Sequence, residues 1–220
     1  MSAGLPMKPL GIFGGTFDPV HFGHLRPALE LKEQLGLESV HLIPCNSPPH
    51  RGQPHASAEQ RHTMLELAIA GEPDLLLDGR ELERPGPSYM VDTLRSLRQE
   101  FGEARSLCLI IGGDAFLGLP SWYHWQELVQ LAHIVVAHRP GWGLDEASLD
   151  APLQQLLQQH RLDEAQQLCD TPAGGLLLQA VTQLAISATE IRQRVATGGS
   201  ANYLLPQPVW DYIRQQNLYR

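Results

Sequence analysis

Gly11-Ile12-Phe13-Gly14-Gly15-Thr16-Phe17-Asp18-Pro19-Val20-His21-Phe22-Gly23-His24 is the stretch that decides the fold. An apolar run over residues 10–13 ends in two glycines and a hydroxyl, and two histidines three apart follow. That order predicts a strand, a loop and a helix, with the loop shaped to hold a polyphosphate. Glycines let backbone N–H groups approach phosphate oxygens with no Cβ between them. The N-terminus of the following helix adds partial positive charge. Histidines at i and i+3 face the same way and can donate ring N–H bonds to one anion. The loop is not a Walker A motif, because no Gly-Lys-Ser/Thr follows the glycines, and its third glycine is misplaced for a dinucleotide fingerprint. Zinc is the other chemistry open to a histidine pair, and only Asp18 offers a further ligand at suitable spacing.

Working outward, short apolar runs alternate with helical patterns. Strands are predicted at 10–13, 40–43, 75–77, 107–111, 134–137 and, as a sixth, 176–181. Between them lie a helix over 24–35 stopped by Gly36, and a helix to residue 70 opened by the capping box Ser57-Ala58-Glu59-Gln60. Another helix runs to Phe101 with Ser88 as its cap, and a short one covers 125–131. Helices start again at 187 and 207, and 145–167 reads as a polar, Gln-rich helical stretch without evident chemistry. Strands separated by helices require parallel crossovers covered on both faces, an α/β doubly wound sheet. In such sheets ligands lie beyond the carboxyl ends of the strands. His21 and His24, Asn46 and His50, Asp114 and Arg139 each follow the end of a strand, which points to one central site.

The chain of 220 residues suits a single domain, residues 1–220, with about 187–220 as a small C-terminal helical portion. Its net charge of −8 argues against general nucleic-acid binding, so anions must be met at local sites. No apolar run is long enough to span a bilayer, and residues 1–9 lack the core of a secretory signal. Three well-separated cysteines, Cys45, Cys108 and Cys169, fit a reducing cytoplasm. Nothing in the sequence fixes the oligomeric state, and a homo-oligomer stays open.

The segment Thr16–His24 resembles the (T/S)-x-x-x-H-x-G-H signature of the nucleotidyltransferase superfamily, related to class I tRNA synthetases. Ile186-Ser187-Ala188-Thr189-Glu190-Ile191-Arg192 resembles its second signature, ISSTxIR, with Ala188 in place of a common serine. From about residue 10 to 220 the chain is similar to the bacterial nicotinate-nucleotide adenylyltransferases. The blocks that choose this branch are Pro44-Cys45-Asn46-Ser47-Pro48-Pro49-His50-Arg51, Ser88-Tyr89-Met90-Val91-Asp92-Thr93-Leu94, Ile111-Gly112-Gly113-Asp114, Leu119-Pro120-Ser121-Trp122-Tyr123 and Arg139-Pro140-Gly141. Family members commonly carry Gln or Ala where this chain has Gly113.

The resemblance implies a Rossmann-like fold and transfer of AMP from ATP to nicotinate mononucleotide. Deamido-NAD and pyrophosphate form by direct in-line attack, without a covalent intermediate. Two polyanions must be brought together, so alignment and positive potential are needed, not a base. His21, His24 and Arg192 are then the catalytic residues, with His24 on the α-phosphate. Gly14, Gly15, Thr16, Ser187, Thr189 and Asp114 meet ATP and its phosphates. Asn46, His50, Arg51, Thr93, Trp122, Tyr123 and Arg139 meet the mononucleotide. Trp122 stacks on its pyridine ring, and Thr93 and Tyr123 flank the nicotinate through backbone N–H groups. Mg²⁺ rides on the ATP phosphates, not in a protein cage. Structural roles compete for several of these residues: N-capping for Ser187, Thr189 and Asp114, core packing for Trp122, a plain surface position for Arg139. Alternative functions are another adenylyltransferase of the superfamily, such as pantetheine-phosphate adenylyltransferase, or a nucleotide-binding regulator without catalysis.

Overall fold

The computed structural model describes residues 7–48, 52–141, 144 and 146–220. Seven strands form one sheet: β1 (Leu10–Gly15), β2 (Val40–Pro44), β3 (Leu75–Leu77), β4 (Leu107–Gly112), β5 (His133–His138), β6 (Arg161–Leu162) and β7 (Leu176–Ala180). Their order is β3-β2-β1-β4-β5-β7-β6, and every pairing is parallel. The strand order reverses between β1 and β4, so the carboxyl ends of those two strands frame the crevice where a doubly wound sheet binds ligands.

The central strands read as continuous apolar runs because both faces are covered. Along β4, Cys108 and Ile110 enter one core, while Leu107, Leu109 and Ile111 enter the other. The first core is closed by α1 (Phe22–Gln34), α2 (Ala58–Ile69), α8 (Ala188–Ala196) and α9 (Gln207–Gln215), through residues such as Leu31, Met64, Ile191 and Trp210. The second is closed by α4 (Met90–Phe101), α5 (Gly113–Leu117), α6 (Trp125–Leu131) and α7 (Ala151–His160), through Leu94, Phe116, Leu128 and Leu153. A single turn, α3 (Arg80–Glu83), lies between β3 and α4. The doubly wound expectation therefore holds.

Several local expectations are corrected. The strand at 176–180 is the seventh in sequence, because a two-residue β6 precedes it at the sheet edge. Within the polar stretch 145–167 the described residues are α-helical over α7, with short 3₁₀ turns at Glu146–Ser148 and Ala165–Cys169. Ser88 does not cap α4; Tyr89 occupies that position, and the Ser88 hydroxyl accepts the Asn46 backbone N–H at 2.9 Å. Helix α1 begins two residues before His24, with His21 as its N-cap.

Candidate active site

The first signature occupies the turn from β1 into α1. Strand β1 carries on through both glycines, with Gly14 opposite Ile43 and Gly15 opposite Pro44. A Cβ on Gly14 would lie 2.4 Å from the Met90 methyl, and one on Gly15 would lie 2.8 Å from the Phe17 ring. These glycines thus let the start of α4 and the Phe17 ring close over the strand end. Gly23 is equally constrained: an added Cβ would come within 2.9 Å of the His21 ring and 3.1 Å of the Ile186 carbonyl oxygen. The second signature is therefore packed onto the first, although Gly23 and Ile186 are 163 positions apart in the chain.

His21 and His24 are brought together face to face, with ring centroids 3.8 Å apart and planes 29° from parallel. The His21 backbone N–H donates to His24 Nδ1 at 3.3 Å, and the Phe17 ring meets His24 edge-on with centroids 5.1 Å apart. These contacts fix the second imidazole. The His21 ring is buried, and its Nδ1 makes no hydrogen bond. Burial pushes its pKa down to about 4, so the ring is neutral at neutral pH and can donate one N–H.

Arg192, from α8, donates through Nη1 to the Asp18 carbonyl at 2.6 Å and through Nη2 to Thr189 Oγ1 at 3.3 Å. A guanidinium has five N–H groups, so donors remain for an anion. Ser187 is the N-cap of α8 and accepts the Glu190 N–H at 3.1 Å. Its capping role is real, and it stands at the positive end of that helix, exposed beside Thr189.

Sequence reasoning passed over Asp18 as anything beyond a zinc candidate. It is buried, and its carboxylate accepts the His55 N–H at 2.7 Å, the Ala56 N–H at 3.1 Å and the Tyr219 hydroxyl at 2.7 Å. Burial first, then the Asp18 charge, hold the Tyr219 phenol far above its usual range, which keeps it a donor. No local pattern could have linked residues 18 and 219. Among the described residues no three His, Cys, Asp or Glu side chains cluster as metal ligands.

Among the residues expected to meet the acceptor, Asn46 is tied to the entry of α4 by the Ser88 bond and by its side-chain amide, 3.5 Å from the Arg84 carbonyl. Tyr123 is exposed and its ring lies on Tyr89, with centroids 4.4 Å apart. Thr93 sits one turn below. Its N–H goes to the Tyr89 carbonyl at 3.2 Å, so the expectation of a free Thr93 backbone donor is corrected. Its hydroxyl donates to the buried Glu81 carboxylate at 2.5 Å and accepts from Arg84 at 3.1 Å. Burial raises the Glu81 pKa. Trp122 is half-buried against the second core, at the end of a short 3₁₀ turn. Asp114 is exposed in the first turn of α5, where Gly112 holds the N-cap position, so it does not cap that helix. Arg139 is exposed just past β5. His50 and Arg51 lie outside the described residues.

The profile of the cytidylyltransferase-like family matches residues 12–194. A protein of Cellvibrio japonicus named "Probable nicotinate-nucleotide adenylyltransferase" is 51% identical, over 97% of this chain and 100% of its own length. A protein of the same name from Dechloromonas aromatica is 49% identical, over 97% of this chain and 98% of its own. The fold is similar to that of the Plasmodium falciparum nicotinic acid mononucleotide adenylyltransferase complexed with NaAD, with a TM-score of 0.72 and 18% identity over 96% of this chain and 97% of that one. With one family profile running through both signatures and relatives about half identical from end to end, the chain belongs to the cytidylyltransferase-like family and, within it, to the nicotinate-nucleotide adenylyltransferases.

Proposed function

We propose that the crevice between the carboxyl ends of β1 and β4 is where AMP passes from ATP to nicotinate mononucleotide, releasing pyrophosphate and forming deamido-NAD. The observation that carries this assignment is the meeting of the two signatures: the stacked imidazoles of His21 and His24 beside the N-terminus of α8, with Arg192 bonded to the Asp18 carbonyl at 2.6 Å. The starts of α1 and α8 come together where Gly23 meets the Ile186 carbonyl, an arrangement suited to a triphosphate.

The 5′-phosphate of the mononucleotide is already an anionic nucleophile, so no side chain needs to remove a proton. It attacks the α-phosphorus, the bond to the bridging oxygen breaks, and that electron pair leaves with pyrophosphate. His24 donates to the α-phosphate as charge develops there. His21, neutral because it is buried, contributes one N–H. Gly14, Gly15 and Thr16 line the turn under the phosphates. Ser187, Thr189 and Arg192 hold the departing pyrophosphate. Asn46, His50, Arg51 and Arg139 meet the acceptor phosphate. Trp122 stacks on the electron-poor pyridine ring, and Tyr123 flanks its carboxylate, with Thr93 fixing the helix turn beneath.

The exposed carboxylate of Asp114 at the end of β4 suits Mg²⁺ carried by ATP, since that ion is usually held by one or two carboxylates with phosphate and water for the rest. When bound, the ion neutralises phosphate charge. Purified protein given ATP, Mg²⁺ and nicotinate mononucleotide should release pyrophosphate and form deamido-NAD. Nicotinamide mononucleotide and pantetheine phosphate should be poorer acceptors. Preference for pantetheine phosphate would reassign the acceptor site, and nucleotide binding without turnover would make the chain a regulator.

A further inference from the structure

Among the described residues, two buried arginines donate to clusters of backbone carbonyls, and they sit at opposite ends of the sheet. Arg98, near the end of α4, donates to the carbonyls of Leu131 (2.7 Å), Arg105 and Pro172 (2.7 Å), which precede β5, β4 and β7. It ties together the amino ends of the strands, far from the crevice. Arg61, from α2, is 1% exposed and works at the carboxyl ends. Its Nη1 donates to the Thr16 carbonyl at 2.9 Å and the Cys45 carbonyl at 2.7 Å. Its Nη2 reaches the Asn46 carbonyl at 3.3 Å, and its Nε reaches the Ala56 carbonyl at 3.3 Å.

Those partners divide along the line of the reaction. Thr16 belongs to the turn that lines the ATP phosphates. Cys45 and Asn46 open the segment assigned to the acceptor, and Ala56 closes it. The Ala56 peptide is held from both sides, because its N–H goes to the Asp18 carboxylate while its carbonyl accepts from Arg61. One planar cation therefore fixes the ATP turn, the start of the acceptor segment and its return into α2 in a single geometry. Only a guanidinium can do this, since its donors diverge in a rigid fork, whereas a lysine has one nitrogen.

We propose that Arg61 is a positioning residue for adenylyl transfer, setting the distance between the loops that carry the two substrates. The inference rests on the proposed function of the crevice. Each substrate keeps its own binding groups without Arg61, but the attacking phosphate and the α-phosphorus lose their alignment. Misplacement by about 1 Å costs on the order of 10²-fold in rate.

The test compares Arg61→Lys with Arg98→Lys. Both replace a buried, carbonyl-bonded arginine by a cation of similar length. Arg61→Lys should lower kcat about 10- to 100-fold while KM for ATP and for nicotinate mononucleotide each stay within about threefold. Arg98→Lys should lower the melting temperature and leave kcat at the wild-type value. Wild-type kcat in Arg61→Lys would overturn the proposal, as would an equal loss of kcat in both variants. Failure of Arg61→Lys to fold while Arg98→Lys folds would assign Arg61 to stability and also overturn it. If wild-type protein makes no deamido-NAD, the function itself fails, an outcome distinct from any of these.

Discussion

His24 shows how one side chain of the proposed site is held rigid. Its ring stacks on His21, meets Phe17 edge-on and accepts the His21 N–H, so its orientation is set before any substrate arrives. Removing a preorganised donor to transition-state charge costs about 10²–10³ in kcat, and His24→Ala should show that loss in a steady-state pyrophosphate assay. The lost ring contacts, worth about 1 kcal/mol, should lower its melting temperature by about 2–4 °C. Wild-type kcat in this variant would move the α-phosphate contact to another group. His21 carries a pH dependence of stability. Its pKa falls from 6.5 to about 4 on folding because burial disfavours the cation. The unfolded chain therefore binds the proton more readily. The contribution is complete above about pH 6.5 and is lost as pH falls toward 4, up to about 3 kcal/mol. Burial lowers the His133 pKa as well, so its contribution has the same sign. Urea unfolding of ligand-free protein between pH 7.5 and 4.5 should show stability declining with acidity, and His21→Gln should flatten that slope. An unchanged slope would mean that the ring is solvated in solution.

Helix ends illustrate which local rules survive tertiary competition. Ser57 caps α2 in both directions: its hydroxyl accepts the Gln60 N–H at 3.2 Å, and its own N–H goes to Gln60 Oε1 at 2.9 Å. Ser57→Ala should lower unfolding free energy by about 1 kcal/mol, read as a shifted urea midpoint at constant slope. Ser88 has the same chemistry and a helix just ahead of it, yet its hydroxyl turns to Asn46, two residues past the end of β2. Both serines are legible as polar residues before a helix. What distinguishes them is that Gln60 lies three residues from Ser57, whereas the competing partner of Ser88 is 42 residues away. The same holds for strands. The apolar run of β4 announces a strand buried on both faces, but β6 has only two residues and no pattern of its own, and it exists because β7 offers an edge.

At the scale of the molecule, the C-terminal helices belong to the first core. Val209, Trp210 and Ile213 of α9 are buried with Met64 and Leu65 of α2, and Tyr219 reaches Asp18. Deleting residues 207–220 should therefore abolish cooperative thermal unfolding and leave aggregation-prone protein, because it exposes apolar surface of α2. A sharp, two-state melt of residues 1–206 would show instead that the C-terminal helices form a separate unit. The doubly wound architecture was determined by the sequence itself, as was the placing of His21, His24, Asn46 and Asp114 at strand ends. Periodicity and capping depend on neighbours within a turn or two, so a linear chain displays them. Tertiary structure alone decided the strand order, the closing of Ile186 over Gly23, and the buried bonds of Asp18, Arg61 and Tyr219. Those contacts join segments distant in sequence, and whether a buried charge finds its partners depends on the packing of the whole sheet and both helical layers.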